Sequence, residues 1–196
     1  RWAKLDVEPV LFRNGHSQIK SYIKQTGALA GAEESGHFYH QLPLKHLNIS
    51  GENSLYTILL FLKSVHQDKS VIDQIRNMQD SLYTSGEFNF EFENDAVRDQ
   101  AMQAIITYFK TDGARLTTHS ENGDDLEGTV VYKGVSTQSG SLTLGEQWYA
   151  AYIRVATNEK GVVRSYLSCC NAQFGNALRF KIESILKNEF QGKEIE

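Results

Sequence analysis

The stretch "RNGHSQIKSYIKQTGALAGAEESGHFYH", Arg13 to His40, decides the reading of the first part of the chain. It opens on a Gly-His-Ser turn, continues with Ile19 and Ile23 four residues apart, and stops at Gly27. Apolar residues at i and i+4 mark one face of a helix. A glycine past the last turn ends a helix, because it takes the left-handed conformation without steric cost. "ALAGA" then reads as a short strand of small residues, and "EPVLF" ahead of the helix as a short buried strand. Strand, helix and strand within about thirty residues predict an α/β layer with a parallel sheet.

Outward from this stretch, "GENSLYTILLFLKSVHQ" predicts an amphipathic helix with Leu55, Ile58, Leu59, Leu62 and Val65 on one face. The polar region from Gln67 to Ser85 reads as a linker with a hinge, which puts one domain at 1–75 and a second at 82–196. The second part changes character. "SGEFNFEFEN" alternates, with Phe88, Phe90 and Phe92 on one face and Glu87, Asn89, Glu91 and Glu93 on the other, as in a half-buried antiparallel strand. A helix follows from Asn94/Asp95 to Gly113, burying Val97, Ala101, Ile105 and Tyr108. "GTVVYKGV", "WYAAYIRVA" and "GVVRSYLSCC" read as strands, and a last helix buries Phe174, Leu178, Ile182, Ile185 and Leu186. The expected fold is α/β first, then an α+β domain with an antiparallel sheet and two helices on one face.

Composition limits the partners. The 196 residues are 40% hydrophobic and 22% charged, as in a globular protein with a real core, and the net charge is -4. Without a Lys/Arg block, the basic field of a nucleic-acid or anionic-membrane binder is missing, and glutamates alternate along "GEFNFEFEN". No apolar run approaches the ~20 residues of a membrane span. Cys169 and Cys170 are adjacent, which disfavours a bridge between them, fits a reducing cytoplasm and leaves no cysteine zinc site. The chain begins at Arg1 without Met, and we expect it to be a piece of something longer.

Three clusters could carry chemistry. In "GAEESGH", Glu33 and Ser35 project to the same side of an extended chain, and a carboxylate beside a hydroxyl suits vicinal sugar hydroxyls. The plain alternative is a solvated loop. In "RNGHS", His16 starts the first helix, where the positive end of the dipole favours anions and keeps an imidazole neutral; a capping role is the alternative. In "RVATNEKG", Arg154, Thr157, Asn158 and Lys160 could cradle a phosphate, against a plain hairpin turn. A metal cluster from His16, His37, His40 and His46 has no HxH or HxxxH spacing behind it, and we expect none.

Taken together and in order, "RNGHSQIK", "GALAGAEESGHFYH", "SGEFNFEF" and the Arg-x-x-Thr-Asn-Glu loop leading into "VVRSYL" resemble the C-terminal half of the α-D-phosphohexomutases, the phosphomannomutase and phosphoglucomutase enzymes. The resemblance spans nearly the whole chain: the end of the family's third domain, a partial three-layer α/β/α unit, then its fourth. It implies an isomerase that moves phosphate between the 1- and 6-positions of a hexose through a phosphoserine and a bisphosphorylated sugar. By it, Glu33 and Ser35 hold the 3- and 4-hydroxyls and His37 lines the same pocket. His16, as the catalytic candidate, and Arg13 stand near the reacting end, and Arg154, Thr157 and Asn158 bind the idle phosphate. The non-catalytic alternative is a phosphosugar-binding or interaction module that kept the fold.

The departures are specific. A gapless match puts Ala156 where the family's anchor loop has Ser; a loop one residue longer restores Thr157 and Asn158 and aligns Arg164 and Tyr166. The family's phosphoserine loop, Thr-Ala-Ser-His-Asn-Pro, and its Mg2+ loop, Asp-Gly-Asp-x-Asp-Arg, are not in this sequence. The resemblance therefore implies that Mg2+ and the phosphoryl donor belong to missing N-terminal domains, and that this chain alone binds hexose phosphate without turnover.

Overall fold

The computed structural model describes residues 10–33, 35–44, 47–120, 122–138, 141–156 and 158–195. They divide into two compact units, one of residues 11–78 and one built mainly of the residues from 79 onward.

In the first unit, helix α1 runs His16–Thr26 and ends at Gly27 in the left-handed conformation (φ 74°), with the Gly27 amide donating to the Ile23 carbonyl. Strands β1 (Ala30–Ala32), β2 (Phe38–Leu44) and β3 (Leu47–Glu52) form one sheet in the order β1-β2-β3. Both pairings are antiparallel, which corrects the expected parallel sheet. The reason is local: the Glu33 amide donates to the His37 carbonyl and the Gly36 amide to the Glu33 carbonyl, at 2.9 and 3.0 Å, and so short a turn joins only antiparallel neighbours. Ile19 and Ile23 of α1 pack on Tyr39 of β2, with Phe12 and Ala28 at the edge. Gly31 is what lets β1 lie this close: a Cβ there would sit 3.1 Å from Ile19 Cγ2.

Further expectations change. Residues 10–12 of "EPVLF" are not in a strand, and Val10 and Leu11 are each 46% exposed; Glu8 and Pro9 lie outside the described residues. Helix α2 is present at Ser54–Gln67, capped by the Asn53 side chain accepting from the Tyr56 amide at 2.9 Å. Its apolar face, however, is uncovered among the described residues, with Leu55 at 67% and Leu62 at 55% exposure. The region read as a linker holds another helix, α3, Ser70–Ser81, in which aspartate and glutamine supply the helical surface that composition alone suggested was loop.

The second unit is a six-stranded antiparallel sheet in the order β5-β6-β7-β8-β4-β9: β4 Tyr83–Glu91, β5 Arg115–His119, β6 Asp125–Gln138, β7 Ser141–Val155, β8 Val162–Cys169 and β9 Lys193–Ile195. Helices α4 (Asp95–Thr111) and α5 (Ala172–Ser184) start at Asn94 and Asn171, whose side chains accept from Val97 and Phe174 amides. Phe88, Phe90 and Phe92 meet Ala101, Ile105 and Phe109 of α4 and Leu178 and Ile182 of α5 in one core, as the alternation predicts. Among the described residues no helix is long and apolar enough to cross a membrane.

Candidate functional site

The turn Glu33–His37 and the start of α1 meet in the first unit. Gly15 takes φ 129°, which a side chain rarely allows, and a Cβ there would lie 2.4 Å from Gln18 Oε1. In that conformation its amide donates to Glu33 Oε1 at 2.8 Å, while the Tyr39 hydroxyl donates to Glu33 Oε2 at 2.8 Å. Both oxygens of the carboxylate are thus fixed from below by groups that keep their own positions, one by backbone conformation and one by complete burial of the ring.

Beside this carboxylate stand two imidazoles. The His16 and His37 rings lie edge to face, their centroids 4.6 Å apart, and His16 also meets Tyr39 edge-on at 5.8 Å. Glu52, at the end of β3, pairs in register with Tyr39, and so its carboxylate reaches both histidines. Oε1 stands 2.8 Å from His37 Nδ1 and Oε2 3.3 Å from His16 Nδ1. The hydrogen bond to Glu52 holds the His37 imidazole above its ordinary value against desolvation, with the charges of Glu52 and Glu33 adding to it. Glu52 is correspondingly held below the usual carboxylate range, chiefly by that same bond. Burial, followed by the bond to Glu33, pushes the Tyr39 hydroxyl well above its ordinary range, so it stays a donor.

Of the residues singled out from sequence, the structure brings His16, Glu33 and His37 together. Ser35 is exposed in the same turn, and Arg13 is half-buried in the segment leading into α1. His40 belongs elsewhere: its Nε2 lies 2.6 Å from Thr57 Oγ1, its ring meets Tyr56, and burial lowers its pKa. His46 lies outside the described residues.

His16, Glu33 and His37 offer ligand atoms within 4.8 Å of one another. Two imidazoles and one carboxylate do not suit Mg2+, which takes oxygen ligands and keeps several waters. The carboxylate is moreover engaged by Gly15 and Tyr39, and the imidazoles by Glu52. We assign no metal to them.

The second unit carries the other candidate loop. The Ala156 amide donates to the Val162 carbonyl at 3.0 Å, closing the β7–β8 connection. Its far side is fastened by Gly161, whose amide donates to Asp95 Oδ1 at 2.9 Å and whose carbonyl accepts from the Phe92 amide. Arg154 and Arg164 are direct cross-strand neighbours. Like charges placed so repel, and Arg164 is compensated by ion pairs to Glu87 and to Glu159. Asn158 is exposed in the loop, Ala156 is buried, and Thr157 lies outside the described residues.

Sequence reasoning missed Tyr39 and Glu52. Tyr39 could have been found by extending the strand alternation through "HFYHQL", which the loop reading cut short. Glu52 carried no local signal, since its role comes from the β2–β3 register.

Among known families, the model described as phosphoglucomutase/phosphomannomutase, alpha/beta/alpha domain III matches residues 1–81. No curated protein matches the chain. The matched segment takes in the Gly15–His16 helix start, the Glu33–His37 turn and Glu52, and over these residues, fewer than half of the chain, the sequence is similar to domain III of the phosphoglucomutase/phosphomannomutase family.

Proposed function

We propose that the chain is the sugar- and phosphate-holding part of a phosphohexomutase, an enzyme interconverting hexose 1-phosphate and hexose 6-phosphate through a phosphoserine and a bisphosphorylated sugar. The observation that carries this reading is the Glu33 carboxylate, held at both oxygens and flanked by His16 and His37. An ionised carboxylate has about four lone-pair directions, so two remain for a pair of sugar hydroxyls, and Ser35 in the same turn adds a group that both donates and accepts.

In this reading Glu33 and Ser35 grip the 3- and 4-hydroxyls, which keep their places when the sugar turns end for end. His37 lines the pocket, and His16 and Arg13 stand at the reacting end, where the start of α1 favours the phosphate charge. Arg154, Thr157 and Asn158 anchor the phosphate that is not reacting, so that a flipped substrate finds the same fixed points. The phosphoserine and Mg2+ belong to N-terminal domains of the same protein. When bound there, Mg2+ would offset charge on the transferring phosphoryl group. Glu33 and Ser35 do not discriminate among glucose, mannose and glucosamine phosphates, which differ at C2.

The test is titration of the chain with glucose 6-phosphate and, in parallel, mannose 6-phosphate, followed by amide NMR. Perturbation of Gly15, Glu33 and His37 is expected, weakened about 10- to 100-fold by Glu33→Ala, the worth of charge-assisted hydrogen bonds. Wild-type affinity in Glu33→Ala and Ser35→Ala refutes the sugar grip.

A further inference from the structure

We propose that Glu52 is a positioning residue that holds His37 by its Nδ1 atom and leaves its Nε2 atom as a hydrogen-bond acceptor offered to the sugar. The inference rests on the sugar-binding reading of this site and adds to it a residue that need not touch the substrate.

The argument starts from donor and acceptor counting. An ionised carboxylate only accepts, so an imidazole nitrogen bonded to it must carry the proton. A neutral imidazole has one N–H. With Glu52 Oε1 at 2.8 Å from His37 Nδ1 in a hydrogen bond, that ring is held with its proton on Nδ1 and a bare lone pair on Nε2, while Oε2 stands at ion-pair distance, 3.3 Å, from His16 Nδ1. This reverses the preference of an imidazole in water, which carries its proton on Nε2. The tautomer is therefore a property of the site, set by the hydrogen bond the other nitrogen makes.

The surrounding groups support the arrangement. Glu33 is taken by Gly15 and Tyr39 and so does not compete for either Nδ1. Lys20, on the same helix as His16, adds a positive charge that helps keep Glu52 ionised. Glu52 is itself fixed by register: it stands opposite Tyr39, and the Asn53 amide beyond it donates to the Phe38 carbonyl at 2.8 Å. The start of α1, the turn after β1 and the end of β3 are thereby tied into one ring of bonds around Glu33 and the two imidazoles.

The experiment is 15N NMR of the histidine side chains in the 196-residue chain at about pH 9, where an imidazole is neutral. Assignment comes from His16→Gln and His37→Gln, with His40, His66 and His119 as internal controls. In the wild type, protonated Nδ1 and bare Nε2 are expected for His37, and in Glu52→Ala its balance moves toward Nε2–H while the controls stay. A wild-type spectrum with Nε2–H in the His37 ring overturns the proposal, and this reading does not depend on the variant folding. An unchanged tautomer balance in a folded Glu52→Ala protein overturns it as well. Glucose 6-phosphate separates the two ideas. If it binds, Glu52→Gln weakens it about tenfold, one hydrogen bond's worth, and no weakening refutes the positioning role. If it perturbs nothing in a wild type with the expected His37 tautomer, the sugar reading fails, and the assignment of that Nε2 atom to a sugar falls with it.

Discussion

Replacing Tyr39 by Phe removes one oxygen from a fully buried ring and leaves its packing against Ile19 and Ile23 intact. What is lost is the 2.8 Å hydrogen bond to Glu33 Oε2. A bond to a charged acceptor contributes about 1.5–3 kcal/mol net, and because Glu33 is half-buried and water can reach it, the lower end applies, ~1.5 kcal/mol. Through the bond between Glu33 and Gly15, the loss is felt at the start of α1, where the Ile19 amide donates to the Gly15 carbonyl at 3.0 Å. Amide hydrogen exchange of Ile19 is expected to accelerate about tenfold in Tyr39→Phe, with a matching fall in the urea midpoint of the first unit. Tyr39→Ala, which also empties the ring's volume, should cost ~3–5 kcal/mol and sets the scale of a pure packing loss. Exchange and midpoint both unchanged in Tyr39→Phe would refute the reasoning, because the hydroxyl would then contribute nothing to holding Glu33.

Further outcomes follow from the same geometry. His37 is raised from an ordinary 6.5, so its contribution to stability is complete below that value and fades as pH rises through the higher folded pKa. Glu52 is lowered from 4.5, so its contribution is complete above that value and fades as pH falls through the lower folded one. The difference in urea midpoint between wild type and Glu52→Gln should therefore peak between 4.5 and 6.5; a difference that grows toward alkaline pH contradicts the pairing. Gly175→Ala in α5 would drive a Cβ to 2.1 Å from the Tyr83 ring and should cost ~1–3 kcal/mol by overpacking, relieved by adding Tyr83→Ala; a neutral Gly175→Ala means that the ring moves aside freely. In the second unit, Arg154→Ala should weaken inorganic phosphate binding about tenfold or more by 31P NMR. Glu159→Gln, which releases Arg164 from an opposing carboxylate, should strengthen it; unchanged affinity in both removes this loop from phosphate binding.

Legibility in the sequence followed the range of the interaction. Helix α1, its glycine stop and the start of α4 at Asn94 depend on neighbours within a turn, and all were readable. The Phe88, Phe90, Phe92 alternation located β4 and its buried face. Strand direction in the first unit was misread because a strand, a helix and a strand in close succession suggest a crossover, whereas Gly36 instead makes a tight reversal. The face of α2 was correctly apolar, but apolar pattern states what a helix can bury and not what is there to cover it. At the site, Glu33 and His37 were legible as a motif. Glu52 was not, because it is brought to His37 by pairing of β2 with β3, and no short-range pattern specifies which glutamate a register will select.

The bonds that build the Glu33 site all close short lengths of chain. Gly15 to Glu33 spans 18 residues, Glu33 to Tyr39 spans 6, and His37 to Glu52 spans 15. The β4–β8 pairing of the other unit closes far longer ones, 77 residues between Glu87 and Arg164. On loop-closure entropy alone, going from 18 to 77 residues costs about 1.3 kcal/mol more before any contact rewards it. The elements around Glu33 are thus cheap to assemble and should acquire exchange protection earlier in refolding than the six-stranded sheet, a sequence of events that pulse labelling resolves. On a ribosome, where the chain emerges from its N-terminal end, the same order holds with greater margin: the site would be in place while the partner strand of β4 is still unmade.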